Sequence, residues 1–71
     1  MTLAELPNSV ESRITGLSGD AIVLGRLREL GFISGETVRV NGRAPFGGPI
    51  LVEIRGAVVA LRKTEAECVQ L

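Results

Sequence analysis

In this 71-residue chain, apolar side chains follow the helical repeat in one stretch only, residues 18–30. The apolar residues of that stretch stand at i, i+1, i+4 and i+7: Val23, Leu24, Leu27 and Leu30. This spacing gathers the four side chains on one face of a helix. The sequence therefore predicts a single helix of several turns, over about residues 19–30.

Both ends of the predicted helix carry boundary signals. Ser18 is the expected N-cap, because its hydroxyl can accept a hydrogen bond from a backbone N–H of the first turn. Gly31 suits the left-handed residue that follows a helix, and Phe32 then stands where a Schellman motif packs back on Leu27. We expect the helix to end at Leu30, with Phe32 packed back on Leu27.

The rest of the chain reads as short strands. Period-two alternation or a brief apolar run marks five stretches: residues 10–17, 37–41, 50–55, 57–61 and 68–71. Thr2–Glu5 and Thr64–Glu67 have capping-box spacing, which predicts a short helical turn near each end. The prediction is a mainly β fold: a five-stranded barrel, closed or partly closed, with one inserted helix. A closed barrel has no free sheet edges. Closure would matter here because the chain has few charged residues to keep an edge strand from pairing with another molecule.

Length and composition bound the organisation of the chain. Seventy-one residues allow one domain, residues 1–71, and no repeat or linker divides them. Residues 1–7 have no basic flank, and no apolar run reaches the ~20 residues of a membrane span. The single cysteine suits a reducing compartment. We expect a soluble cytoplasmic domain.

Catalytic chemistry has few residues to use. Histidine is absent, and Cys68 is the only cysteine, so the usual general base and a cysteine-built zinc site are both missing. We therefore predict no enzyme, no cofactor and no metal site. Cys68 as a lone metal ligand or reactive thiol is the alternative to a small, partly buried apolar residue.

Charge does not favour nucleic acid. Eight basic residues balance eight acidic ones, and Trp and Tyr, which stack on bases, are absent. Arg39 and Arg55 point outward on neighbouring predicted strands, where they could form a local basic patch. Glu36 and Glu53 are near enough in sequence to neutralise it. A small-barrel nucleic-acid binder remains an alternative function.

Two surfaces are candidates for binding a partner protein. Phe46 stands in a loop rich in proline and glycine, as an aromatic anchor or as a lid folded over one barrel end. Small residues on the helix face opposite the apolar stripe would permit close approach of another backbone, or are merely tolerated there. The candidate partner-binding residues are Pro45, Phe46, Gly47, Gly48, Pro49, Ala21 and Gly25.

Four short motifs in this order resemble the FeoA family, the ferrous iron transport proteins A. They are Leu27–Phe32, Ser34–Gly35, Ala44–Pro49, and Ala60–Arg62 with Glu65–Ala66. The resemblance runs from Leu3 to Leu71. It implies an SH3-like barrel with an inserted helix and a small cytoplasmic component of bacterial ferrous iron uptake. It also implies an association with transition metals for which this chain offers no ligand set.

The resemblance implies a partner as well. FeoA-like proteins work with FeoB, a membrane iron permease with a cytoplasmic GTP-binding domain, and no catalytic residues accompany the likeness. From the resemblance we infer only two candidate contact regions in this chain, the 45–49 loop and the helix around Gly25. The same module occurs in iron-dependent repressors, an alternative disfavoured by Met1 and by the absence of a helix-turn-helix segment. Outward Leu51 makes self-association a further expectation.

Overall fold

The computed structural model describes all of residues 1–71, and its strands and helices follow a short 3₁₀ turn, Leu3–Glu5. In chain order they are β1 (Glu11–Arg13), β2 (Gly16–Leu17), α1 (Ala21–Glu29), β3 (Thr37–Arg43), β4 (Ile50–Ile54), β5 (Ala57–Leu61), α2 (Lys63–Ala66) and β6 (Val69–Gln70). The mainly β class, the inserted helix and the helical turns near each end are as predicted. No helix has both the length and the apolar character needed to cross a membrane.

The strands form two antiparallel sheets. One has four strands in the order β1-β3-β4-β5, and the other pairs β2 with β6. Single bridges join Thr2 to Gln70 and Asn8 to Val40. β5 has β4 as its only paired neighbour, so the barrel is partly open along one side.

The predicted strand 10–17 is two strands, which corrects the count from five to six. At Ile14 and Thr15 the chain passes from one sheet to the other. The Ile14 N–H donates to the Glu36 carbonyl beside β3, and the Thr15 N–H donates to the Gln70 carbonyl in β6, both at 2.8 Å. Because the segment serves both sheets, it cannot remain one straight ladder.

The core lies between the sheets and the helices. Alternate residues of β3 and β4 point into it, and Leu27 enters it from α1. Its buried apolar residues are Leu3, Leu6, Ile14, Leu27, Phe32, Val38, Val40, Ile50, Val52, Ile54, Leu61, Ala66 and Val69. Only Leu27 of the predicted helical stripe is fully buried, whereas the other three are half-buried against the core.

The end of α1 is the predicted Schellman motif. The Phe32 N–H donates to the Leu27 carbonyl and the Gly31 N–H to the Arg28 carbonyl, each at 3.0 Å. Gly31 has the left-handed φ of +102° that the motif requires. Leu27 and Phe32 are both fully buried, so the cap also fixes two core side chains.

The start of α1 differs from the prediction. Asp20, not Ser18, is the N-cap, and its carboxylate accepts hydrogen bonds from the N–H groups of Ile22 and Val23 at 2.9 and 3.2 Å. The Ser18 N–H instead donates to the Cys68 carbonyl at 2.9 Å, which continues the β2–β6 pairing. Because Ser18 takes part in strand pairing, it does not cap the helix, and α1 begins at Ala21.

The two short capping boxes behave differently. The first is as predicted, with the Thr2 N–H bonded to Glu5 Oε1 at 2.9 Å. The second begins two residues earlier than Thr64, because Arg62 is the N-cap and its N–H donates to Glu65 Oε1 at 2.8 Å. Glu65 thereby becomes the N3 residue of α2.

Candidate partner-binding surfaces

The loop between β3 and β4 is a tight turn with Phe46 and Gly47 at its tip. Both central residues have left-handed φ angles, +59° and +71°, as in a type I′ hairpin turn. The Gly48 N–H donates to the Pro45 carbonyl at 3.2 Å, and the Ala44 N–H donates to the Pro49 carbonyl at 2.9 Å. These two bonds fix the loop that the sequence identified by composition.

Phe46 does not cover the barrel end. Its side chain is fully exposed, with a relative accessibility of 103%, so the lid interpretation is wrong. A left-handed φ costs a residue with a Cβ roughly 1–2 kcal/mol. The turn therefore holds a large aromatic ring in solvent on a strained backbone. Neither the exposed ring nor the left-handed φ stabilises the fold.

Gly48 allows the loop to close. A Cβ at this position would stand 2.7 Å from the Ala44 Cβ and 3.2 Å from the Pro45 carbonyl oxygen. Contacts this short require backbone movement. A larger residue at position 48 would therefore open the loop and move its tip.

Arg43 ties the base of the loop to the N-terminal segment. Its guanidinium donates to Asn8 Oδ1 at 2.6 Å and to the backbone carbonyls of Ala4 and Leu6 at 3.0 and 2.5 Å. The Ala4 carbonyl lies within the 3₁₀ turn and the Leu6 carbonyl just after it, and neither residue belongs to a strand. Hydrogen bonds from a charged donor are among the stronger ones, so Arg43 holds two distant segments together.

A cleft of about 270 Å³ lies beside the loop. Its lining residues come from the N-terminal turn, the loop, β4 and the start of α2: Ala4, Arg43, Ala44, Gly47, Gly48, Ile50 and Lys63. The side chains are small or apolar apart from two cations, and no carboxylate is among them. The loop surface thus combines an exposed aromatic tip with a shallow, cationic cleft.

The helix face carries the second set of candidates. Ala21 is exposed and Gly25 is half-buried, and a Cβ built on Gly25 would meet no atom within 4 Å. The fold therefore does not require glycine there. Ile22 on the same helix is 84% exposed, so this face presents an apolar side chain beside the two small residues.

The loop and the helix face are separate surfaces, and α2 has one contact towards the loop and one with α1. Lys63, the first residue of α2, lines the cleft next to the loop. Two residues further on, the largely buried Glu65 carboxylate accepts a hydrogen bond from the Arg26 guanidinium of α1. No hydrogen bond or ion pair joins the 45–49 loop directly to α1.

The predicted basic patch is largely neutralised. Arg55 Nε lies 3.7 Å from Glu36 Oε1, the partner that the sequence suggested. Arg39 stands in register between Glu53 on β4 and Glu11 on β1, a neighbour that strand spacing alone did not indicate. The Arg39 Nε atom is buried and makes no hydrogen bond. This sheet face therefore alternates in charge instead of being uniformly basic.

Cys68 is half-buried, in agreement with its interpretation as a small, partly buried apolar residue. Its thiol donates to the Thr64 carbonyl at 3.4 Å, and a Cβ on Gly19 would lie 2.7 Å from its sulfur. No three His, Cys, Asp or Glu side chains of the chain come together as metal ligands.

Sequence reasoning missed two contacts that shape these surfaces. Arg43 reaches the N-terminal carbonyls across 37 and 39 residues, and Arg26 reaches Glu65 across 39. No local spacing rule relates the residues of either pair, so the sequence does not predict these contacts. The capping-box spacing of Thr64–Glu67 predicts a helical turn here but indicates Glu67, whereas the structure uses Glu65.

Comparison with known proteins gives one family. A profile of the FeoA domain family matches residues 1–71. A comparison with curated protein sequences finds no match. Among solved structures, the zinc complex of FeoA from Stenotrophomonas maltophilia, a prokaryotic SH3 domain protein, is 38% identical with a TM-score of 0.85. That alignment covers 97% of this chain and 86% of the other.

Two further solved structures share this fold. FeoA from Chlorobium tepidum is 33% identical with a TM-score of 0.89, over 99% of this chain and 67% of that one. A manganese-dependent transcriptional repressor is 24% identical with a TM-score of 0.87, over 97% of this chain and 39% of the repressor. The repressor shares the fold only, whereas the FeoA structures confirm the predicted SH3-like class.

Proposed function

This chain belongs to the FeoA domain family, and we propose that it is a non-enzymatic accessory protein of bacterial ferrous iron uptake. In this proposal it acts in the cytoplasm as one domain, by binding the cytoplasmic part of an FeoB-type iron permease. The family assignment over residues 1–71 supports the transport role. The S. maltophilia relative is itself described in terms of ferrous iron transport activation.

One observation of the chain carries the binding role: Phe46 is fully exposed at the tip of a rigid turn. Aromatic side chains dominate the energy of many protein interfaces. Two backbone hydrogen bonds and two prolines already fix the loop, so little conformational entropy is lost when it binds. We assign Pro45–Pro49 as the primary contact.

The helix face is a secondary contact in this proposal. Ala21 and Gly25 allow a partner backbone to approach closely, and the exposed Ile22 adds apolar area. Because α2 contacts both the cleft and α1, a partner large enough to span α2 can touch the loop and the helix together. A smaller partner touches only one.

Modulation follows from differential affinity. If the chain binds the GTP-bound and GDP-bound permease unequally, nucleotide changes its affinity and it changes nucleotide affinity by the same factor. Equal affinity for both states shifts neither equilibrium. The chain then acts without contributing a catalytic group.

The test is calorimetric titration of the chain into the isolated cytoplasmic part of the permease, with GTP analogue, with GDP and without nucleotide. We expect saturable binding with affinities that differ between the nucleotide states. Binding of equal strength in all three states contradicts modulation. No binding in any state contradicts the proposed partner.

A further inference from the structure

The last long strand of the four-stranded sheet, β5, has an open edge. β4 pairs with all five of its residues, Ala57–Leu61, and no strand lies on the other side. None of the backbone hydrogen bonds made outside the ladders and helices involves residues 57–61. The outward backbone groups of β5 therefore have no partner within the chain.

The hairpin register identifies those groups. β4 and β5 are joined by a two-residue turn, Arg55–Gly56, which places Ile54 opposite Ala57 as a hydrogen-bonded pair. Hydrogen-bonded and non-bonded pairs alternate along an antiparallel ladder. The N–H and C=O groups of Val58 and Ala60 consequently point away from β4, towards solvent.

The edge lacks the usual protection against pairing. Natural edge strands carry charges, prolines or bulges that discourage another strand. The opposite edge, β1, has Glu11 and Arg13 among its three residues. β5 is Ala-Val-Val-Ala-Leu and pairs with β4 without a register shift. On the outer face Val58 is 57% exposed and stands opposite Glu53 of β4, and the exposed Leu51 stands opposite Ala60.

Cations stand at both ends of this edge. Arg55 precedes β5, and Arg62 and Lys63 follow it. Arg55 faces Glu36, but neither Arg62 nor Lys63 has a carboxylate within 4 Å. An approaching strand therefore meets an uncharged centre and unneutralised positive charge at the Arg62 end.

We propose that β5 is a docking edge for an extended segment of another protein, apolar in its middle and acidic where it passes Arg62 and Lys63. The segment adds as a further antiparallel strand, so its acidic end is its N-terminal end. Val58 and Ala60 supply two N–H donors and two C=O acceptors to it. Such docking is independent of the iron role proposed above.

A second copy of the chain fits this edge less well. Two β5 strands related by a two-fold axis through Val59 would pair Val58 with Ala60 of the second copy. This arrangement would bring the Arg55 turn of each copy towards Arg62 and Lys63 of the other, at both ends of the paired strands. Like charges brought together at an interface disfavour association, so charge favours an acidic foreign strand.

The test uses a blocked synthetic peptide, Glu-Glu-Thr-Val-Thr-Val-Thr, titrated to about 2 mM, a range suited to weak strand addition, into ¹⁵N-labelled full chain. In the free protein we expect the Val58 and Ala60 amides to exchange quickly with solvent and the Val59 and Leu61 amides slowly. Peptide should shift and protect Val58 and Ala60. Shifts centred elsewhere, or none, overturn the proposal.

Charge variants separate the end contact from the edge itself. Arg62→Gln, or a peptide with glutamines for glutamates, should weaken binding by about tenfold. Arg28→Gln, an equal charge change on exposed α1, should leave it unchanged. Equal effects of the two variants contradict the charge assignment. Val58 and Ala60 amides already protected in a sedimenting dimer would assign the edge to a second copy and overturn the proposal.

Discussion

The Glu65 carboxylate joins α2 to α1 by accepting from Arg26, and its other oxygen caps α2 through the Arg62 N–H at 2.8 Å. Glu65 is only 7% exposed, so these two donors supply hydrogen bonds that water cannot provide there. This pair therefore links α1 to α2, the helix whose first residue, Lys63, lines the cleft beside the loop.

Removing Arg26 should cost stability even though its own side chain is 54% exposed. Arg26→Ala leaves the largely buried Glu65 carboxylate with one fewer donor, and we expect a loss of about 1 kcal/mol, discounted for that exposure. Urea unfolding followed by circular dichroism measures it, because the chain has no Trp or Tyr. Arg28→Ala is the control and should change stability by less than about 0.5 kcal/mol.

Two glycines of the helix region should respond oppositely to alanine. Gly25→Ala meets open space inside α1, so we expect a gain of roughly 0.5–1 kcal/mol. Gly31→Ala meets Arg55 Cδ at 3.1 Å with φ at +102°, so we expect a loss of about 1–2 kcal/mol. Urea unfolding of both variants gives the signs. A destabilised Gly25→Ala would mean that the fold itself needs glycine there.

Relieving the strain at Phe46 should uncouple stability from binding. Phe46→Gly removes a Cβ from a φ of +59°, and we expect stability to hold or to rise by up to about 1 kcal/mol. Partner affinity should fall by at least about tenfold, as for an aromatic interface anchor. Val10→Ala, at another exposed apolar residue, is the control for affinity. Unchanged affinity in Phe46→Gly would remove the anchor role.

Acid should weaken the N-terminal turn through Glu5. The Thr2 N–H bonded to its carboxylate lowers the pKa of Glu5. Because the folded pKa lies below the unfolded one, the stabilisation is present above the ordinary glutamate pKa of about 4.3 and is lost as pH falls through the folded value. In that window the native chain should lose more stability than Glu5→Gln. Parallel curves for the two proteins would contradict this.

Local signals account for the parts of the fold that were predicted. The helix ends where Gly31 permits a left-handed turn, and β4 and β5 follow from alternation around Arg55–Gly56. These features depend on residues a few positions apart. The predicted N-cap was wrong because the side chains of Ser18 and Asp20 can both cap a helix. Ser18 pairs with Cys68, which is distant in sequence, and this pairing leaves Asp20 as the cap.

The candidate surfaces were predicted less completely. The composition around Phe46 indicated a loop, but not whether the ring is buried, because that depends on the turn geometry. The contacts of Arg43 with Leu6 and of Arg26 with Glu65 span tens of residues and follow no local spacing. The open edge of β5 depends on which strands find partners, so topology had to be known first.

The most direct test of the central claim is a ¹⁵N NMR titration of the chain with the isolated cytoplasmic part of the permease, loaded with GTP analogue. We expect amide shifts centred on Phe46 and Gly47, with a second group at Ala21 and Gly25, and loss of the loop shifts in Phe46→Gly. A spectrum unchanged by the partner, or changed only at residues remote from both surfaces, would contradict the proposed contact.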